Sequence, residues 1–152
     1  MASRVIRRTL RKILPPKRGK SIVKVGFPAG SASADNISKA VYNEFGTRGG
    51  ASGGGWGGPI PERPFLRNAM RNNRGKYKQG LKASARQILD GTASVDAALR
   101  LMGNDAALDV QEEIITLSSP PNSPVTVALK GSSNPLVDTG EMVGAVTFKV
   151  ET

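Results

Sequence analysis

Cysteine and histidine are both missing from this 152-residue chain, and each absence removes a class of chemistry. Without cysteine there is no disulfide and no thiolate nucleophile. Without histidine there is no imidazole general base, and the two absences together take away the usual zinc ligands. A secreted disulfide scaffold is excluded, and assembly in a cytoplasm is compatible. Aromatic residues make up only 5% of the chain, so a large aromatic core is not available. No apolar run approaches the ~20 residues that span a bilayer, and no membrane partner is expected. Arg7-Arg8-Thr9-Leu10 has the look of a twin-arginine signal, but Pro15-Pro16-Lys17-Arg18-Gly19-Lys20 follows where an apolar stretch would be needed, so export is not expected.

What the chain has instead is glycine (18), proline (10) and a net charge of +10. The length suits one domain with a modest core plus a projecting arm. Residues 1–20 hold eight basic residues and no acid, and residues 62–90 add eight more against Glu62 and Asp90. Residues 91–152 reverse the sign, with eight acids against Arg100, Lys130 and Lys149. Such a polarised chain favours head-to-tail self-association.

Val5, Leu10, Ile13 and Leu14 recur at helical spacing among basic residues, which predicts a short amphipathic arm over residues 1–20 ended by Pro15-Pro16. Residues 21–27 alternate like a strand, and residues 37–45 fit either a strand or a helix, the strand preferred because Val41 and Tyr42 lead into a Phe45-Gly46-Thr47 turn. Residues 48–59 form a glycine-rich loop around the solitary Trp56, which reads as a contact residue on a flexible tether. Residues 65–89 predict a basic helix, broken near Asn72-Asn73-Arg74-Gly75 and stopped at Asp90-Gly91. Ser94 then caps a second helix whose Val95, Leu99, Met102, Ala106, Val110, Ile114 and Leu117 step by three and four as a core face. Residues 118–124 are irregular, 125–129 alternate like a strand, 131–140 form a loop, and 142–150 read as a terminal strand. The element order is therefore helix, strand, strand, loop, helix, helix, strand, strand, with no internal repeat.

The glycine loop lacks the Lys and Ser or Thr that close a phosphate-binding P-loop, and it opens onto no helix. Glu112 and Glu113 are neighbours on a helix and diverge by about 100°, while Asp138 sits in a turn where it is expected to accept a backbone hydrogen bond from Gly140. With no histidine to activate a serine, no enzyme, cofactor or metal is expected.

Three turn-rich segments stand out: Asn43-Glu44-Phe45-Gly46-Thr47, Ile60-Pro61-Glu62-Arg63-Pro64-Phe65-Leu66 and Pro135-Leu136-Val137-Asp138-Thr139-Gly140. In this order, with a long helical stretch between the second and third, the chain from about residue 21 to 150 resembles the neck and tail-completion proteins of long-tailed phages, the Mu-type virion morphogenesis family. Ser119-Pro120-Pro121-Asn122-Ser123-Pro124, Lys130-Gly131 and Pro135-Leu136 fit the same style. The resemblance implies an α+β fold, with two long helices packed on a small antiparallel sheet, and a structural virion protein without enzymatic activity, forming a ring, most often six-fold, in the neck or at the head-proximal end of the tail. In such proteins the first segment ends a strand, the second leads into the first long helix, and the third precedes the last strand.

The partners so implied are further copies of the chain, a head-side connector or head-closure protein, and a tail terminator or tail tube protein. Expected protein contacts are Arg7, Arg8, Arg11 and Lys12 of the arm, Trp56, and Arg67, Arg71 or Arg74 set against Asp105, Asp109 and Glu112 of a neighbour. Genomic DNA could touch the arm only through phosphates, since no aromatic residue lies within residues 1–20. Two alternatives stay open: a tail terminator capping the tube, and a basic nucleic-acid-binding protein.

Overall fold

The computed structural model describes residues 21–28, 30–48 and 59–151; the expectations for the basic arm, including Arg7, Arg8, Arg11 and Lys12, and for Trp56 lie outside them. Two strands, β1 (Ile22–Gly26) and β2 (Thr147–Glu151), join the start and end of the described chain as an antiparallel pair, with Val23 opposite Val150 and Val25 opposite Phe148. Among the described residues six helices lie between: α1 (Ala34–Phe45), α2 (Phe65–Asn72), α3 (Arg74–Leu89), α4 (Val95–Thr116), α5 (Pro124–Lys130) and α6 (Glu141–Gly144). The fold is α+β, as expected.

Helix α4 is the axis of the domain. Ser94 accepts a hydrogen bond from the Ala97 N–H and so starts the helix. Its Ala106, Ala107, Val110 and Ile114 then face the two-stranded sheet, α2 and α6. Phe65, at the first position of α2, is fully buried against this face and meets Phe27 edge-on, with ring centroids 6.2 Å apart. Gly103 lets α4 approach β2: a β-carbon built there would lie 2.2 Å from the Phe148 ring. The break between α2 and α3 falls where the sequence places it, with both the backbone N–H and the side-chain amide of Asn73 donating to the Ala69 carbonyl.

Three elements differ from expectation. Residues 37–45 are helical, because Ser33 caps α1 through the Asn36 N–H and an Asp35–Lys39 ion pair spans one turn. The inward face is Asn36, Ala40 and Glu44, and its two polar members hid the helical period. Residues 125–129 are also helical: Ser123 caps α5, Pro124 opens its first turn and Gly131, at φ 70°, ends it. No residue of α5 is buried, so the alternation of Val125, Val127 and Leu129 never faced a sheet. The terminal strand is shorter than residues 142–150, because α6 takes up Glu141–Gly144 and buries Met142 before β2 begins.

Candidate interaction surface

The first two turn-rich segments form one joint. Glu44, on the inner face of α1 and 3% exposed, accepts the backbone N–H groups of Leu66 and Arg67 at the start of α2, at 2.9 and 3.2 Å. A carboxylate there satisfies two of the free donors of a helix N-terminus and suits its dipole. Arg67 closes the joint from outside, bonding the Glu44 carboxylate and carbonyl and the Glu62 carboxylate, with its guanidinium 5.3 Å from the centre of the exposed Phe45 ring. These acceptors hold the Arg67 guanidinium above its ordinary range, the Glu44 bond first among them.

Arg63 is buried and donates to the Pro120 and Pro121 carbonyls and to the Asn43 and Asn122 side chains. Burial lowers its pKa, from a starting value so high that it keeps its charge. Pro61 and Pro64 flank it, and Gly46 makes the fit possible: at φ 68° it turns away from α1, and a β-carbon there would sit 3.0 Å from the Ile60 carbonyl oxygen. Thr47 and Ile60 exchange hydrogen bonds at this point, so the two ends of the glycine-rich loop are pinned together.

In the third segment the organising residue is Asn134. Its side-chain oxygen accepts from the Leu136 and Val137 N–H groups and its amide donates to the Ile115 carbonyl. Asp138 and Thr139 are exposed, and the expected bond from Gly140 to Asp138 is not made. Gly140 itself, at φ 81°, starts α6. Sequence reading names Asn122 only within its proline-rich segment and gives no role to Asn134 or Lys76; the Asn134-Pro135 dipeptide is the available turn signal for Asn134.

Two of the residues expected to meet between copies, Arg67 and Asp109, are engaged within the chain. Arg67 is occupied within its own chain. Asp109 is not a surface group: it is 6% exposed and is held at 2.6 Å by Lys76, which raises the Lys76 pKa. Burial, with the Asp109 carboxylate second, pushes the neighbouring Tyr77 phenol upward. Among the described residues neither the Tyr77 hydroxyl nor Asp109 Oδ2 has a hydrogen-bond partner. Arg71, Arg74 and Glu112 stay exposed and Asp105 half-buried.

A cleft of about 390 Å³ between β1, α1 and α2 is lined by Val25, Phe27, Ile37, Val41, Leu66 and Phe45. Its charged members are Glu44 and Arg67, already bonded to each other. Among the described residues no cluster of three acids could hold a metal ion, and no helix is long and apolar enough to cross a membrane. What the surface offers is apolar side chains on helices: Leu81 and Leu89 on α3, Leu101, Leu108 and Ile115 on α4, and Val125 and Leu129 on α5. Comparison with family models, curated proteins and solved structures gives no match to this chain.

Proposed function

We propose that this protein is a structural subunit of a long-tailed phage virion, forming a homo-oligomeric ring in the neck or at the head-proximal end of the tail and needed to join head to tail. The observation that carries the reading is the joint of Asn43, Glu44, Arg63 and Arg67: two of the three segments behind the resemblance act together as a brace. Arg63 extends that brace to the Pro120-Pro121-Asn122 turn. A braced domain with exposed apolar helix faces, whose cleft between β1, α1 and α2 has Glu44 and Arg67 already bonded to each other, fits a scaffold better than a catalyst. Its place would be the virion, after assembly in the host cytoplasm, with a connector or head-closure protein on one side and a terminator or tube protein on the other. Phage lacking the protein should accumulate filled heads and separate tails, visible by negative-stain microscopy. Normal particles from such a mutant, or particles that do not contain the protein, would overturn the reading.

A nucleic-acid role has one specific observation behind it: Arg71, Arg74, Lys78, Lys82 and Arg86 are all exposed on α2 and α3 with no acid between them. A purified chain that retards duplex DNA with a steep salt dependence, yet never forms rings, would favour that alternative. A tail terminator differs from the proposed role only in its neighbour, which cross-linking within particles would identify.

A further inference from the structure

We infer that the outer faces of α3 and α4 are the two halves of one head-to-tail contact, with α3 of one copy of this chain seated on α4 of the next. Helix α3 has sixteen residues and buries one of them, Ser84, so it is held to its own chain along a single edge while its other sides face water. On those sides Leu81, Ala85 and Leu89 follow at steps of four, flanked by Arg74, Lys78 and Lys82. The whole helix carries five basic residues and no acid. Ordinary surface helices keep their large apolar residues on the inner face.

Helix α4 presents the counterpart. Leu101, Leu108 and Ile115 recur every seven residues, are 59%, 61% and 54% exposed, and run for about 21 Å along one line of the helix. Asp105 and Glu112 border that line, and α4 as a whole carries five acids against Arg100. The opposite, inner line of Gly103, Ala106, Val110 and Ile114 is the one that meets the domain. Each helix therefore exposes a leucine seam of similar character but opposite charge, and both belong to the same chain. A second copy supplies the complement that neither helix finds in its own fold, and a contact between different patches propagates around a ring. The inference rests on the ring reading above and refines it: Lys78 and Lys82 take the place given to Arg67, which Glu44 and Glu62 already occupy.

The test uses the purified full chain and charge reversal. Lys78→Glu with Lys82→Glu makes the α3 face acidic, and Asp105→Lys with Glu112→Lys makes the α4 face basic. Each double variant alone should assemble about tenfold or more weakly by sedimentation. Mixed one to one they should reassemble as strictly alternating oligomers, because every interface then pairs unlike charges. Leu101→Ser with Leu108→Ser, at exposed positions, should also release monomers without lowering the thermal midpoint. Oligomers unaffected by all three pairs would overturn this surface while leaving the ring reading intact. A wild-type chain that stays monomeric in low salt would overturn it too, and the virion reading is judged separately by the unjoined heads and tails. Loss of DNA retardation from the Lys78/Lys82 variant, with assembly unchanged, would assign the α3 face to nucleic acid instead.

Discussion

Asn43 and Arg63 are tied to each other twice: the Arg63 guanidinium donates to the Asn43 side-chain oxygen at 2.9 Å, and the Arg63 backbone N–H donates to the Asn43 carbonyl at 2.7 Å. The pair fixes the end of α1 to the approach to α2, across the pinned base of the glycine-rich loop. Arg63 also donates to the Pro120 and Pro121 carbonyls and to the Asn122 side chain, so one buried side chain holds three segments in register.

Arg63→Lys should cost about 2–3 kcal/mol, because an ammonium cannot reproduce the planar fork and would leave buried carbonyls unpaired. Urea denaturation measures it. A loss below half a kcal/mol would mean that water substitutes freely for the guanidinium.

Glu44→Ala removes the acceptor for two helix N–H groups and the partner of Arg67. The expected loss is about 2–4 kcal/mol, since the carboxylate is buried and its donors would be left facing an apolar gap. Arg67→Ala should cost less, because its side chain is 45% exposed and water takes over much of its role. The order of the two urea midpoints is the check; a more damaging Arg67→Ala would place the weight of the joint on the Glu62 side.

The joint also shows how far sequence reading reached. The glycines, prolines and capping serines of the chain are local signals, and they located α2, the α2–α3 break, the start of α4 and the β1 strand. The helical nature of α1 was hidden because its inner face carries Glu44, a charge whose burial makes sense only once α2 is placed over it. In α5 the alternation of Val125, Val127 and Leu129 imitated a strand, and nothing in those residues reveals that no sheet edge lies nearby. The site residues divide the same way: Glu44, Arg63 and Gly46 were flagged by their segments, whereas the partners Asn122, Asn134 and Lys76 depend on contacts between distant parts of the chain. Asp109 looked like a surface acid because its burial is imposed by Lys76 from another helix.

Gly103→Ala tests the closest approach in the fold. Alanine should favour the helix by about 1 kcal/mol, but its methyl would enter the Phe148 ring, 2.2 Å from the nearest carbon. The steric term wins, with a net loss of about 1–3 kcal/mol. Pairing it with Phe148→Leu should recover part of that loss in a double-mutant cycle. A stabilised single variant would show that the β1–β2 sheet shifts away from α4 at no cost.

Tyr77→Phe makes a prediction whose sign depends on pH. The Tyr77 hydroxyl is buried between α3 and α4 without a hydrogen-bond partner among the described residues, so near neutral pH its removal should be neutral or slightly stabilising. In the folded chain burial and then Asp109 hold the phenol above its ordinary value of 10, while the unfolded chain titrates there. A raised pKa contributes its full stability below the unfolded value and loses it as pH rises from about 10 toward the folded one. Wild-type stability should therefore fall with pH above about 10, and Tyr77→Phe should fall less steeply by up to about 1 kcal/mol per pH unit after discounting for partial exposure. Some slope should remain in the variant, because the Asp109 bond raises the Lys76 pKa as well and that contribution is lost in the same direction. Urea denaturation of both proteins from pH 8 to about 11 reads the difference, and parallel curves would mean that the phenol ionises in the fold as readily as in the open chain.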